Sequence, residues 1–170
     1  SFNSFVGGNA MQVATEAGSN VAVGYNSMNQ ITTGSNSVAV GYAALDAATT
    51  VNNNTAIGYN SLTDCTGADN TAVGNNSLAA NTTANDNTAV GKAAMITNTT
   101  GTSNVAFGKD SLRTNSTGNA NTAIGFEALK ASTTASNNTA LGKESLLATT
   151  TGDLNTALGA RTMYSATTTD

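Results

Sequence analysis

The chain contains no histidine, no proline and no tryptophan, and a single cysteine, Cys65. Without histidine there is no imidazole base near neutral pH, no histidine-dependent triad and no histidine metal site. One cysteine can form neither an intrachain disulfide nor a thiolate cluster for zinc. Large apolar residues are scarce as well. Valine, leucine, isoleucine and phenylalanine make up 28 of 170 residues, far below their share in an ordinary globular domain. That scarcity argues against a conventional core and leaves disorder or a repetitive architecture. Charge is sparse and acidic, six Lys plus Arg against ten Asp plus Glu for a net charge of −4. Nucleic acid, which demands phosphate neutralisation, is therefore a poor partner. No apolar run approaches the roughly 20 residues of a membrane span. The first residues lack the basic start and apolar stretch of a signal peptide, so none is expected.

Thr, Ala, Asn, Gly and Ser supply 115 residues, about two thirds of the chain. They are arranged as one repeat written ten times. A glycine recurs at Gly7, Gly24, Gly41, Gly58, Gly74, Gly91, Gly108, Gly125, Gly142 and Gly159. Eight of the nine intervals are 17 residues and one, Gly58 to Gly74, is 16. The residue before each glycine is Val, Ile, Leu or Phe, and the fourth residue after it is Leu or Met. Alanine stands two places before the glycine in nine of ten repeats, and asparagine four places before it in nine of ten. The eighth residue after it is Thr, except at Ser116. A disordered chain has no reason to hold such columns in step.

A fixed period with about two large apolar residues per unit implies a solenoid in which each unit is one coil. The short, partly β-branched segment ending in the glycine reads as a strand, and a second extended piece is expected from the glycine to the Leu/Met column. Corners follow the Thr column, as in Thr33-Gly34-Ser35-Asn36, and the short interval should be absorbed there, at Gly67-Ala68-Asp69. Asn-Gly and Asp-Gly are absent, so tight hairpins are not signalled and strands should stack in parallel. The fold class is all-β: a parallel β-solenoid of ten coils of about 17 residues over 1–170, close to 48 Å long at the ~4.8 Å strand spacing.

Strand parity assigns faces, because neighbouring side chains alternate. If the Val/Ile column points into the coil, Ala22, Ala39, Ala56, Ala72, Ala89, Ala106, Ala123, Ala140 and Ala157 point out and form a flat surface for another chain. The alternative is that alanine fits a narrow place inside the coil. One coil has little apolar mass to bury against the entropy of ordering it, so burial beyond the single chain is expected.

The segment Asn36-Ser37-Val38-Ala39-Val40-Gly41 resembles the head-repeat motif of YadA-like trimeric autotransporter adhesins. Asn54-Thr55-Ala56-Ile57-Gly58-Tyr59-Asn60-Ser61-Leu62 and Asn121-Thr122-Ala123-Ile124-Gly125 resemble repeats of phage tail-fibre and surface-fibre proteins. The resemblance covers all ten repeats. It implies a left-handed parallel β-roll, three chains side by side as a homotrimer, and a non-enzymatic structural or adhesive role in host or surface attachment, at a cell surface or virion tail. It leaves the receptor unnamed, and with no glycine-rich phosphate loop or calcium repeat in the chain neither a cofactor nor a metal is expected.

Several residues invite a functional reading beside a structural one. Tyr25, Tyr42 and Tyr59 follow the glycine in consecutive coils and should stack as a ladder, a candidate glycan or receptor contact. Asp110, Glu127, Glu144 and Arg161 occupy the next column, which reads as an exposed edge. Cys65 reads as a small packed residue. The Thr column is either an internal hydroxyl ladder or an ice-binding array, and the adjacent threonines Thr33, Thr50, Thr83 and Thr100 break the alternate spacing that an ice-binding strand face requires. Carboxylates are few and scattered, without a repeated catalytic pair. Ice binding and a passive architectural spacer are the alternatives to attachment. The chain starts six residues before its first repeat glycine and ends eleven after its last, without a visible cap, and reads as a segment of a longer fibre.

Overall fold

The computed structural model describes residues 2–165. Ten three-residue strands carry the repeat: β1 (Ser4–Val6), β2 (Val21–Val23), β3 (Val38–Val40), β4 (Thr55–Ile57), β5 (Thr71–Val73), β6 (Thr88–Val90), β7 (Val105–Phe107), β8 (Thr122–Ile124), β9 (Thr139–Leu141) and β10 (Thr156–Leu158). They form one parallel sheet in sequence order. Each strand pairs with its equivalent one coil away, so Ala22 lies opposite Ala39 and Ala39 opposite Ala56. This is the β-solenoid that the period implies. The 16-residue interval leaves the register intact, with Thr55 still opposite Thr71. The missing residue comes out of the corner, between Thr66 and Gly67.

The stretch after each glycine is not the second extended piece expected from the sequence. It is a tight turn in which backbone φ is positive at the second and fourth positions, for example Asn26 at 57° and Met28 at 48°. Asparagine tolerates that region, but the fourth position is Leu or Met throughout, with φ between 47° and 55°. A left-handed conformation costs a bulky residue about 1–2 kcal/mol. The same geometry turns those side chains into the lumen, where Met28, Leu45, Leu62, Leu78, Met95, Leu112, Leu129 and Leu146 are fully buried. Burial of roughly 1.5–3 kcal/mol per side chain offsets the strain. Coil-to-coil backbone bonds continue through the turn, with Leu45 N–H donating to Ser61 O at 3.0 Å and Leu112 N–H to Ala128 O at 2.9 Å.

The strand faces are the reverse of the first assignment. Ala22, Ala39, Ala56, Ala72, Ala89, Ala106, Ala123 and Ala140 are wholly buried inside their own chain, and Ala157 nearly so. They therefore offer no surface to a second chain. The Val/Ile column points outward instead. The physical reason is the width of the lumen. The Leu/Met side chains already occupy it, and the opposite wall has room for a methyl group but not for a branched side chain.

Asparagine, two residues before alanine and immediately before the strand, shares its inward parity. Asn70, Asn87, Asn104, Asn121 and Asn138 are buried and linked in a continuous ladder. The Oδ1 of each accepts from the backbone N–H of the next coil, as from Asn121 to Asn104 and from Asn138 to Asn121 at 2.9 and 3.0 Å. Each Nδ2 donates across the lumen to a corner carbonyl, as from Asn104 to Gly118 O at 2.8 Å. The core of the solenoid is thus a leucine column on one wall and an amide ladder on the other.

Candidate functional surfaces

No cavity is present among the described residues, so any function must be sought on the outer columns. The strand column supplies the largest of them. Two outward positions alternate with the buried alanine. The first reads Ser4, Val21, Val38, Thr55, Thr71, Thr88, Val105, Thr122, Thr139 and Thr156. The second reads Val6, Val23, Val40, Ile57, Val73, Val90, Phe107, Ile124, Leu141 and Leu158. None of these twenty positions carries a charge. All are exposed or half-buried, with Phe107 56% exposed. The result is an uninterrupted ribbon along one side of the solenoid, Val or Thr (Ser4 in the first coil) on one row and large apolar residues on the other. Sequence reasoning placed the apolar row in the core. A signal was available: the alanine column is nearly uniform in size, as an interior of fixed width requires, while the neighbouring column ranges from Val to Phe, as a free surface allows.

The edge beyond the glycine carries the tyrosines. Tyr25 and Tyr42 stack with ring centroids 5.7 Å apart, and Tyr42 and Tyr59 with centroids 5.2 Å apart. Each ring is about half exposed. The structure therefore brings together the three aromatic residues expected to form a ladder.

Further along the same edge the chemistry changes. All six basic residues lie between positions 92 and 161, and ion pairs line this part of the turn. Asp110 faces Lys109 at 3.6 Å and Arg113 at 3.5 Å, and Glu127 meets Lys130 at 2.9 Å. Glu144 lies 3.3 Å from Lys143 and 2.6 Å from Arg161. The hydrogen bond from Arg161 is the main reason the Glu144 carboxyl is held below the usual carboxylate range, and Glu144 in turn raises Arg161. The column expected to be an open edge is partly closed by these pairs, since Asp110 and Glu144 are buried. Phe126 sits between two cations, with Lys109 Nζ 5.4 Å and Lys143 Nζ 5.8 Å from its ring centre.

The threonine corner is a hydroxyl ladder. Thr32 Oγ1 donates to Thr49 O at 3.0 Å, Thr82 Oγ1 to Thr99 O at 3.0 Å and Thr99 Oγ1 to Ser116 O at 2.9 Å. These hydroxyls satisfy the carbonyls of the next coil. The adjacent threonines Thr33, Thr50, Thr83 and Thr100 are exposed. They lie on a corner and not on a strand, so the alternation rule does not separate the two rows.

Cys65 is packed inside, as expected. Asn81 Nδ2 donates to its sulfur at 3.4 Å, and burial pushes the thiol above its ordinary range. It stands in an internal column with Ile31, Ala48, Asn81, Asn98 and Asn115. Among the described residues there is no helix long and apolar enough to cross a membrane and no cluster of His, Cys, Asp and Glu that could hold a metal ion. No protein-family model, curated protein or solved structure matches this chain.

Proposed function

We propose that this chain is a non-enzymatic structural and adhesive fibre segment, working outside the cell at a cell surface or on a virion tail. In that setting three copies lie side by side as left-handed rolls. The observation that carries the proposal is the uncharged ribbon formed by the two outward strand columns. An apolar stripe of this length on a thin rod is a surface suited to a second copy of itself. Each half-exposed Val, Ile, Phe or Leu has on the order of 1 kcal/mol still to gain from burial, and ten of them occur in one line. Three copies and the attachment role come from the likeness of Asn36-Ser37-Val38-Ala39-Val40-Gly41 and its variants to adhesin and tail-fibre repeats. The packing surface, however, is the Val/Ile/Leu ribbon and not the alanines.

Two neighbouring substitutions test the assembly. Ala123→Glu drives a charge into the lumen and should unfold the chain. Ile124→Glu points outward and should dissociate the assembly while the far-ultraviolet circular dichroism is retained. Lys109→Glu, on the other edge, should leave the mass unchanged. Light scattering at micromolar concentration gives the mass, and a stable monomer for the unmodified chain would refute the assembly. Binding of the purified chain to cells tests attachment. An intact trimer that coats no cell type would leave the spacer role in its place.

A further inference from the structure

We infer that the edge formed by Tyr25, Tyr42 and Tyr59 binds a neutral, extended β-1,4-linked polysaccharide, one sugar per coil. This deepens the attachment role by naming a ligand class for it. The first observation is segregation along one edge. In the two columns after the glycine, the first five coils read Gly8-Asn9, Tyr25-Asn26, Tyr42-Ala43, Tyr59-Asn60 and Asn75-Asn76, with no charge among them. Every one of the next five coils carries a charge in the same two columns, beginning at Lys92. The second observation is access. Phe126, the aromatic of the charged part, is flanked by Lys109 and Lys143. The tyrosines are stacked on one another in offset fashion and stay about half exposed. Amides adjoin them: Asn9 Nδ2 donates to Asn26 Oδ1 at 3.1 Å and lies 3.4 Å from the Tyr25 hydroxyl.

This combination suits a sugar chain. The stacked rings turn their faces toward one another and present their edges and hydroxyls outward; the edges give apolar contact to the C–H surface of pyranose rings, and phenol and amide groups exchange hydrogen bonds with sugar hydroxyls. The absence of a cation from these five coils disfavours a single-stranded nucleic acid, which stacks on aromatics but needs its phosphates neutralised. Register ranks the remaining candidates. Coils repeat at the strand spacing of ~4.8 Å, close to the rise per sugar in an extended β-1,4-linked glycan. A polyproline helix presents the same face every three residues, roughly 9.3 Å, so a proline-rich peptide meets only every second coil and is the competing ligand in the test.

The tyrosines report on their own occupancy. The chain has no tryptophan and four tyrosines, three of them on this ladder. The experiment titrates the intact chain with cellohexaose, chitohexaose and decaproline while following tyrosine fluorescence. At least one of the two hexasaccharides should give a saturable change. Tyr42→Ala should weaken that binding about ten-fold or more with circular dichroism unchanged, because the same column accepts Gly8, Asn75 and Ala160 elsewhere. Lys143→Ala should bind like the parent. No saturation by either hexasaccharide, an affinity indifferent to Tyr42→Ala, or tighter binding of decaproline would each overturn the inference. If the hexasaccharides fail while the chain still binds cells, this inference falls and attachment stands. If they bind through Tyr42 and no cell type is coated, the site stands and attachment falls.

Discussion

Gly91 has φ +134°, and a Cβ built on it would lie 2.6 Å from both the carbonyl carbon and oxygen of Gly108. Backbone of one coil passes directly over backbone of the next, so no side chain fits and the φ value is one that L-residues rarely adopt. Gly91→Ala should cost about 3–5 kcal/mol in urea unfolding, the sum of strain and overpacking. Gly159 has a similar φ but among the described residues would meet only Thr162 Cγ2 at 3.4 Å, so Gly159→Ala should cost about 1–3 kcal/mol, strain alone. Equal losses would show that crowding between coils is not the cause. A carboxylate supplies a second residue-scale test. Asp46 Oδ1 is buried without a hydrogen-bond partner among the described residues, and burial raises its carboxyl above its ordinary range. A folded-state value that is raised means the ionised form is penalised by folding. That penalty is present at neutral pH and disappears as pH falls through the folded value. Asp46→Asn should therefore stabilise the protein at neutral pH by about 1 kcal/mol and have no such effect in acid well below the carboxylate range. Asn29 already stands in the same column one coil earlier, donating to Asn9 O at 2.9 Å. Thermal melts across pH decide this, and a gain that persists in acid would point to a cause other than charge.

The element that makes one coil is a three-residue strand joined to a left-handed turn and held by one amide. Asn104 shows what the amide does. Its Oδ1 accepts from Asn121 N–H at 2.9 Å, and its Nδ2 donates to Gly118 O at 2.8 Å. Without the amide the buried Asn121 N–H is left unpaired and Gly118 O keeps only the bond from Asn115 Nδ2 at 3.0 Å, so Asn104→Ala should destabilise by about 2–4 kcal/mol. Asn104→Ser should cost less, about 1–2 kcal/mol, because the molecule already contains that solution. Ser37 Oγ accepts from Asn54 N–H at 3.1 Å in the one repeat that lacks the asparagine. Chemical denaturation of the two variants gives the order, and a serine variant as unstable as the alanine one would contradict the ladder.

At the scale of the whole molecule, each strand meets only the strands of adjacent coils. Stability is then a sum over nearest neighbours, and a coil with one neighbour opens more readily than a coil with two. Strand amides allow a clean comparison, because their bonds have nearly the same length throughout. Ser4 N–H donates to Asn20 O at 2.9 Å, Thr71 N–H to Asn87 O at 2.8 Å and Thr88 N–H to Asn104 O at 2.9 Å. Amide hydrogen exchange of the 170-residue chain should be about ten-fold or more slower at Thr71 and Thr88 than at Ser4. A profile flat from end to end would mean that the solenoid opens only as a single unit.

The sequence by itself determined the period, the strand that precedes each glycine, parallel stacking and the corner that absorbs the short repeat, but not the left-handed turn that stands where a second extended piece was expected. Each feature it determined depends on spacing and local turn chemistry, and spacing is visible without coordinates. The tyrosine ladder was legible for the same reason, since residues in one column of consecutive coils must lie above one another. Only the tertiary structure decided which side of the strand faces inward. Alternation along a strand reads the same with either face turned to the lumen, and the choice rests on how much width remains once Leu62 or Leu112 enters from the opposite wall. The positive φ at those leucines was equally hidden, because the strain is local while the burial that offsets it exists only in the closed coil. The ribbon of Val23, Ile57, Phe107 and Ile124 became a surface once Ala22, Ala56, Ala106 and Ala123 were found to fill the interior.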